Sequence, residues 1–277
     1  MRFVSFEFEG RASWGRVEGD EIVDLGALPG SAVDLRSAIA GGAMHPAGDA
    51  PRIARGAVHL LPPIPNPSKI LCVGHNYESH RQETGRAKVS NPSIFTRFAD
   101  TLLGANDPIV RPKVSTSLDF EAELAVVIGK GGRNISEAQA MDHIAGFACF
   151  NDASIRDFQW HTTQFTPGKN FPGTAPFGPE LVTPDEIEDL EAVVVRSVLN
   201  GQTMQEAPVS FMLFPIPTII AYVSQFTELS PGDVIATGTP GGVGAKREPP
   251  VWMKAGDTIT IEIDGVGTLT SRIVDEA

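Results

Sequence analysis

The segment Asp119-Phe-Glu-Ala-Glu-Leu124 runs directly into Ala125-Val-Val-Ile128, which is wholly apolar. A run of this kind fits a strand that runs into the core. On a strand, residues two apart share a face. Asp119, Glu121 and Glu123 therefore fall on one side, and Phe120, Ala122 and Leu124 on the other. Carboxylates at the mouth of a buried strand repel one another and lose hydration unless positive charge lies between them. A divalent cation meets that need. A solvated face with Lys or Arg partners is the alternative.

The rest of the chain has to build around that strand. Its 277 residues suit a main domain with a modest extra lobe. Leu61-Pro-Pro-Ile-Pro-Asn-Pro67 can hold neither a helix nor a central strand. It places a boundary between a small N-terminal β-rich domain, residues 1–65, and a catalytic domain, residues 66–277. In the first, Val4, Phe6 and Phe8 alternate with Ser5, Glu7 and Glu9, the period of a half-buried strand, and residues 34–40 suit a short helix. In the second, residues 69–73 and 144–150 read as apolar strands. Ser136-Glu-Ala-Gln139 and Thr183-Pro-Asp-Glu186 read as capping boxes opening helices. Tight turns at Asn200-Gly201 and Asp264-Gly265 bracket a strand-rich end. Long helices are scarce and βαβ repeats are absent, so the expected class is mixed α/β, mostly β.

Composition excludes several function classes. A net charge of −12 with no dense basic cluster argues against nucleic-acid binding, which rests on Lys and Arg neutralising phosphates. No apolar stretch reaches the ~20 residues a membrane span needs. The first ten residues lack a signal-peptide apolar region. Cys72 and Cys149 sit in apolar runs and read as small buried thiols of a reducing, cytoplasmic protein.

Four further segments carry candidate chemistry. In Phe150-Asn-Asp-Ala-Ser-Ile-Arg-Asp157 an apolar strand ends at Asp152, a possible third carboxylate or a helix cap. In Gly74-His-Asn-Tyr-Glu-Ser-His-Arg-Gln-Glu83, His80 and Glu83 share a face of a helical turn. A carboxylate that accepts the imidazole N–H fixes its tautomer and raises its basicity, as a general base requires; a solvated surface pair is the plainer reading. His75 is a weaker candidate for the same role, and the polar residues 81–90 suit a mobile surface loop. Thr166-Pro-Gly-Lys-Asn-Phe171 presents Lys169 on a stiff turn. Thr237-Gly-Thr-Pro-Gly-Gly-Val-Gly244 offers backbone N–H groups to an anion but lacks the P-loop spacing.

The order of these motifs resembles the fumarylacetoacetate hydrolase family: Cys72-Val-Gly, Asn76-Tyr77 and His80, then the strand from Asp119 to Gly129, Asn151-Asp-Ala-Ser-Ile-Arg-Asp-Phe-Gln159, Lys169, Gly178-Pro179, and the run from Pro231 to Gly244. The resemblance covers roughly residues 68–273. It implies the family's β-roll catalytic domain, with Glu121, Glu123 and Asp152 as metal ligands and Mg²⁺ as the usual metal, Mn²⁺ or Ca²⁺ substituting. It implies His80 and Glu83 as a catalytic dyad and Lys169 as the active-site lysine. Arg156, Gln159, Thr239 and Tyr77 would contact substrate, and a homodimer is usual. The expected activity is hydrolytic C–C cleavage of a small anionic β-diketo 2-oxo acid. Isomerisation or decarboxylation by the same family is the alternative, and a non-catalytic metal- or ligand-binding protein a more distant one. Three departures fall near the expected pocket: His75 where Leu or Arg is more usual, Arg97 where Lys is common, and a compact Trp160-His-Thr-Thr163.

Overall fold

The computed structural model describes residues 1–277. A twelve-stranded sheet forms the frame. At its centre, Ala122–Ile128 lies antiparallel to Ile144–Asn151 on one side and to Val234–Ala236 on the other. Val234–Ala236 pairs in parallel with Ile70–Gly74, and Ser93–Arg97 closes that edge. A second, five-stranded sheet contains Val194–Leu199, Thr258–Ile263 and Gly267–Asp275.

The central strands are covered on both faces, as their apolar runs require. Leu124, Val126, Phe147 and Cys149 join Ile259, Ile261 and Leu269 of the smaller sheet in one core. Ala125, Val127, Ala148 and Phe150 belong to a second core on the opposite face, with Trp14, Leu35 and Ile39. Both cysteines are buried and free. No helix is long and apolar enough to cross a membrane.

Three local expectations need correction. The strand Arg2–Phe8 is not half-buried. Phe3, Val4, Ser5 and Phe6 are all buried, because the strand pairs with Arg11–Glu18, with His59–Leu61 and, through Arg2↔Val182 and Phe3↔Leu181, with the main sheet. The proline segment packs beside this strand: Ile64 is fully buried, and the Ser5 hydroxyl donates to the Pro63 carbonyl at 2.7 Å. Second, neither capping box forms. The Ser136 hydroxyl turns to the Gln139 side chain (2.9 Å), and Thr183 bonds the Met1 carbonyl (3.1 Å), leaving a single helical turn at Pro184–Glu186.

Third, residues 119–129 are not one continuous strand. Leu118–Asp119 pairs with Ser154–Ile155, whereas the main-sheet strand starts at Ala122. Between them the Glu121 N–H donates to the Asn151 side chain (3.1 Å) and the Asp152 N–H to the Glu121 carbonyl (2.9 Å). The Asn151 side chain takes the place of a backbone acceptor, so the strand is interrupted at Phe120–Glu121 while the pairing register is kept. Asp119 stands outside the cluster formed by Glu121, Glu123 and Asp152 and pairs with Arg156 instead.

Phe3→Ala and Phe6→Ala should each lower unfolding stability by about 3–5 kcal/mol, the usual cost of emptying a buried phenylalanine site. Urea denaturation measures both. A large loss for Phe6 alone would mean that one face of the strand is open.

Candidate active site

The interrupted end of the two central strands brings three carboxylates together. One oxygen each from Glu121, Glu123 and Asp152 lies within 4.8 Å of the others, and all three residues are buried. Glu121 comes from the irregular step before the central strand, Glu123 from the strand itself, and Asp152 from just past the end of its neighbour.

Three buried cations face them. Lys169 Nζ bridges Glu121 and Asp152 at 2.6 Å to each. Arg97 Nη1 donates to Asp152 (2.5 Å) and to the Ala153 carbonyl (3.0 Å). Arg156 spans Asp119 (2.8 Å) and Glu121 (2.7 Å). Asp119 is thus a clamp and not a member of the triad: it also accepts from the Gly244 (2.8 Å) and Ala245 (3.0 Å) backbone N–H groups. Four carboxylates against three cations leave one negative charge in excess.

That excess falls on Glu123. No basic side chain ion-pairs with it, and its Oε2 accepts only the Gly238 N–H at 2.8 Å. Burial, then the neighbouring Asp152 and Glu121, push its carboxyl well above the ordinary range. Burial would do the same to Glu121, but Arg156 and Lys169 outweigh it and hold that group well below the range. Burial works against the Lys169 ammonium too, yet Asp152 and Glu121 raise its pKa. A divalent ion among these oxygens would neutralise the uncompensated carboxylate. An all-oxygen donor set suits a hard cation such as Mg²⁺, Mn²⁺ or Ca²⁺.

Beside the triad stands the dyad. Glu78–Glu83 is a helix, not part of a loop, and His80 is buried on it. His80 Nδ1 lies 2.6 Å from Glu83 Oε1. An ionised carboxylate can only accept, so Nδ1 carries the proton and Nε2 of the neutral ring is left free. The other Glu83 oxygen accepts the Gly242 N–H at 2.8 Å. Gly242 sits at φ +104, with the Met204 carbonyl 2.3 Å from where a Cβ would be, so only glycine can present that amide. Gly241 N–H bonds Ser79 (3.0 Å). The helix is therefore docked on the glycine-rich loop, and His80 is in place without closure of residues 81–90.

The remaining candidates divide. His80, Glu121, Glu123, Gln159, Lys169 and Thr239 line one cleft together with Arg156. Asp152 lies behind them, fully buried. Lys169 ends a one-turn helix, Thr166–Lys169, and is buried rather than presented on an open turn. Tyr77 is fully buried outside the cleft lining, its hydroxyl lacking a protein partner; burial, then Glu123, raises its pKa.

Two further residues hold the loops in place: Gln205, which no motif singles out, and Asn76, which lies in the Asn76-Tyr77 motif but has no role assigned from sequence. Gln205 donates to the Thr239 hydroxyl (2.7 Å) and Pro240 carbonyl (2.8 Å) and accepts from the Ala122 N–H (3.0 Å), tying the loop to the metal strand. Asn76 holds Phe214 and the Thr237 carbonyl. Arg97 was noticeable only as a departure from the usual lysine.

This geometry agrees with what the chain resembles. Residues 69–274 match the family described as fumarylacetoacetate (FAA) hydrolase C-terminal, and the chain belongs to that family. It is 44% identical over 224 residues to the mitochondrial oxaloacetate tautomerase fahd2 of Xenopus laevis, spanning 80% of this chain and 70% of that one. Among solved structures it superposes on the fumarylacetoacetate hydrolase of Exiguobacterium antarcticum with a TM-score of 0.89 and 35% identity, both chains covered in full. Maleylpyruvate hydrolase from Sphingobium sp. SYK-6, solved with manganese(II) and pyruvate, gives 0.82 and 31%, again over 100% of both chains. The fold is therefore the mixed, mostly β fold of this enzyme family.

Because burial and the neighbouring Asp152 and Glu121 raise the Glu123 pKa, and a carboxylate must be deprotonated to act as a ligand, divalent-ion binding should release protons and weaken as pH falls. Titration calorimetry with Mn²⁺ in buffers of different ionisation enthalpy measures the release. Glu123→Gln should weaken Mn²⁺ binding by at least about tenfold, since it removes a charged ligand.

Proposed function

We propose that the protein is a divalent-metal-dependent enzyme that interconverts the keto and enol forms of a small anionic 2-oxo acid, with oxaloacetate as the substrate suggested by its relatives. One observation carries the reading: a histidine with its Nδ1 fixed by a carboxylate and its Nε2 free lines the same cleft as the carboxylate triad. When bound by Glu121, Glu123 and Asp152, an ion such as Mg²⁺ or Mn²⁺ supplies Lewis-acid polarisation of the substrate's carboxylate and keto oxygens, which acidifies the adjacent carbon.

The chain's own groups do the rest. Towards the enol, His80 takes the proton from that carbon through Nε2, and the enolate oxygen takes one from the imidazolium or from water; in the reverse direction the enol O–H proton leaves to Nε2 or to water and Nε2 returns one to the carbon. Glu83 stabilises the imidazolium formed in between. Lys169 and Arg156 keep Glu121 ionised, and Lys169 with Arg97 orients Asp152. The Thr239 hydroxyl and the Gln159 amide, both at the cleft wall, offer hydrogen bonds to substrate oxygens.

A second reading is hydrolytic C–C cleavage of a β-diketo acid, in which His80 would take its proton from water; the likeness to maleylpyruvate hydrolase favours it. The higher identity to the oxaloacetate tautomerase, 44% against 31% for that hydrolase, favours the first.

Product analysis separates the two readings. The protein is supplied with oxaloacetate, an acylpyruvate and fumarylpyruvate, with Mg²⁺ or with EDTA. Tautomerisation predicts accelerated loss of enol absorbance at unchanged mass; pyruvate plus a carboxylic acid would replace it with the hydrolase. His80→Gln should lower kcat by roughly 10²- to 10⁴-fold with a small change in KM, the usual weight of a general base. Unchanged turnover in that variant would remove the dyad from the mechanism.

A further inference from the structure

His75 is the one residue at the site whose backbone is held against its own preference. It follows the strand Ile70–Gly74 at φ +57, in the left-handed region. Five non-glycine residues in the chain have positive φ; three are asparagines, which tolerate it, and Glu9 sits in a hairpin turn. His75 alone of these lines the cleft. A residue kept in such a conformation points to a function for its side chain more than to packing.

The ring is placed but not tied. It stacks on His80 with centroids 5.2 Å apart and planes 12° from parallel, and meets the edge of Phe165 at 5.9 Å. No protein group hydrogen-bonds it, in contrast to His80 with Glu83. Burial, then His80, lowers its pKa to about 4, so near neutral pH it is uncharged, with one donating and one accepting nitrogen. It lies within electrostatic reach of Glu121 on the triad side and of Arg86, an exposed cation that also lines the cleft. His75 lines the same cleft as Glu121 and Glu123, so a 2-oxo acid held there has this ring in its wall.

We propose that His75 is a specificity-determining residue: its free imidazole N–H donates a hydrogen bond to an oxygen at the end of the substrate remote from the carboxylate triad, so the site selects 2-oxo acids with a second carboxylate or carbonyl over those ending in an alkyl group. A neutral imidazole that polarises an oxygen is established chemistry for enolising enzymes. The inference rests on the keto–enol reading above and assigns the recognition step to a residue outside the dyad and triad.

The test compares two acids that differ at that end, oxaloacetate and 2-oxobutanoate, by NMR-detected deuterium exchange at C3 with Mn²⁺ present. Oxalate, which has only the chelating end, serves as a competitive ligand. His75→Gly keeps the left-handed backbone without strain. His75→Leu keeps bulk without a donor, and thermal melting confirms that both are folded. In both variants kcat/KM for oxaloacetate should fall about 10- to 100-fold, the weight of a hydrogen bond to a charged oxygen, while the 2-oxobutanoate rate and the oxalate Kd shift by less than about threefold. Equal losses on both acids, or none on either, would overturn the assignment while leaving the function standing. A native protein that exchanges neither acid and does not bind oxalate would overturn the function and this assignment with it.

Discussion

Everything at this site depends on buried charge being nearly, but not fully, balanced. Arg97, Arg156 and Lys169 satisfy Asp152, Asp119 and Glu121 at hydrogen-bond distance, so most of the cluster is fixed before any ligand arrives. A buried charge left without a partner is costly, and here that condition is confined to Glu123. The uncompensated position is thereby one carboxylate, while Asp119, Glu121 and Asp152 are held by ion pairs as a frame.

The frame follows from how two strands end. Ala122–Ile128 and Ile144–Asn151 are ordinary central strands, apolar on both faces. At their shared end the ladder gives way to bonds through the Asn151 side chain and the Glu121 carbonyl. That switch lets polar side chains occupy a place otherwise surrounded by core. The glycine-rich loop then adds donors from its backbone: Gly238 to Glu123, Gly242 to Glu83, and Gly244 to Asp119. One loop touches the triad, the dyad and the clamp.

Much of this is legible in the residues alone. The apolar run after Glu123 announces a central strand, and the spacing of His80 and Glu83 announces a paired helix face. Family resemblance ordered the remaining pieces. What could not be read had non-local causes. The burial of Phe3 depends on a strand some 180 residues away in sequence, through its pairing with Leu181. The break at Phe120–Glu121 depends on the Asn151 side chain. Periodicity put Asp119 on one face with Glu121 and Glu123, because it cannot register such a break. Arg97 and Gln205 act through partners on distant elements, and no local pattern marks them.

The clamp at Asp119 has a spectroscopic consequence. Its two oxygens hold the Gly244 and Ala245 amides while Arg156 links the same carboxylate to Glu121. Any change in charge at the triad is therefore relayed, through two hydrogen-bonded groups, to a pair of backbone amides on the far side of Asp119 from the triad. Those two amides are a natural reporter of what the centre holds, a label that the chain supplies for itself and that leaves the catalytic groups unmodified.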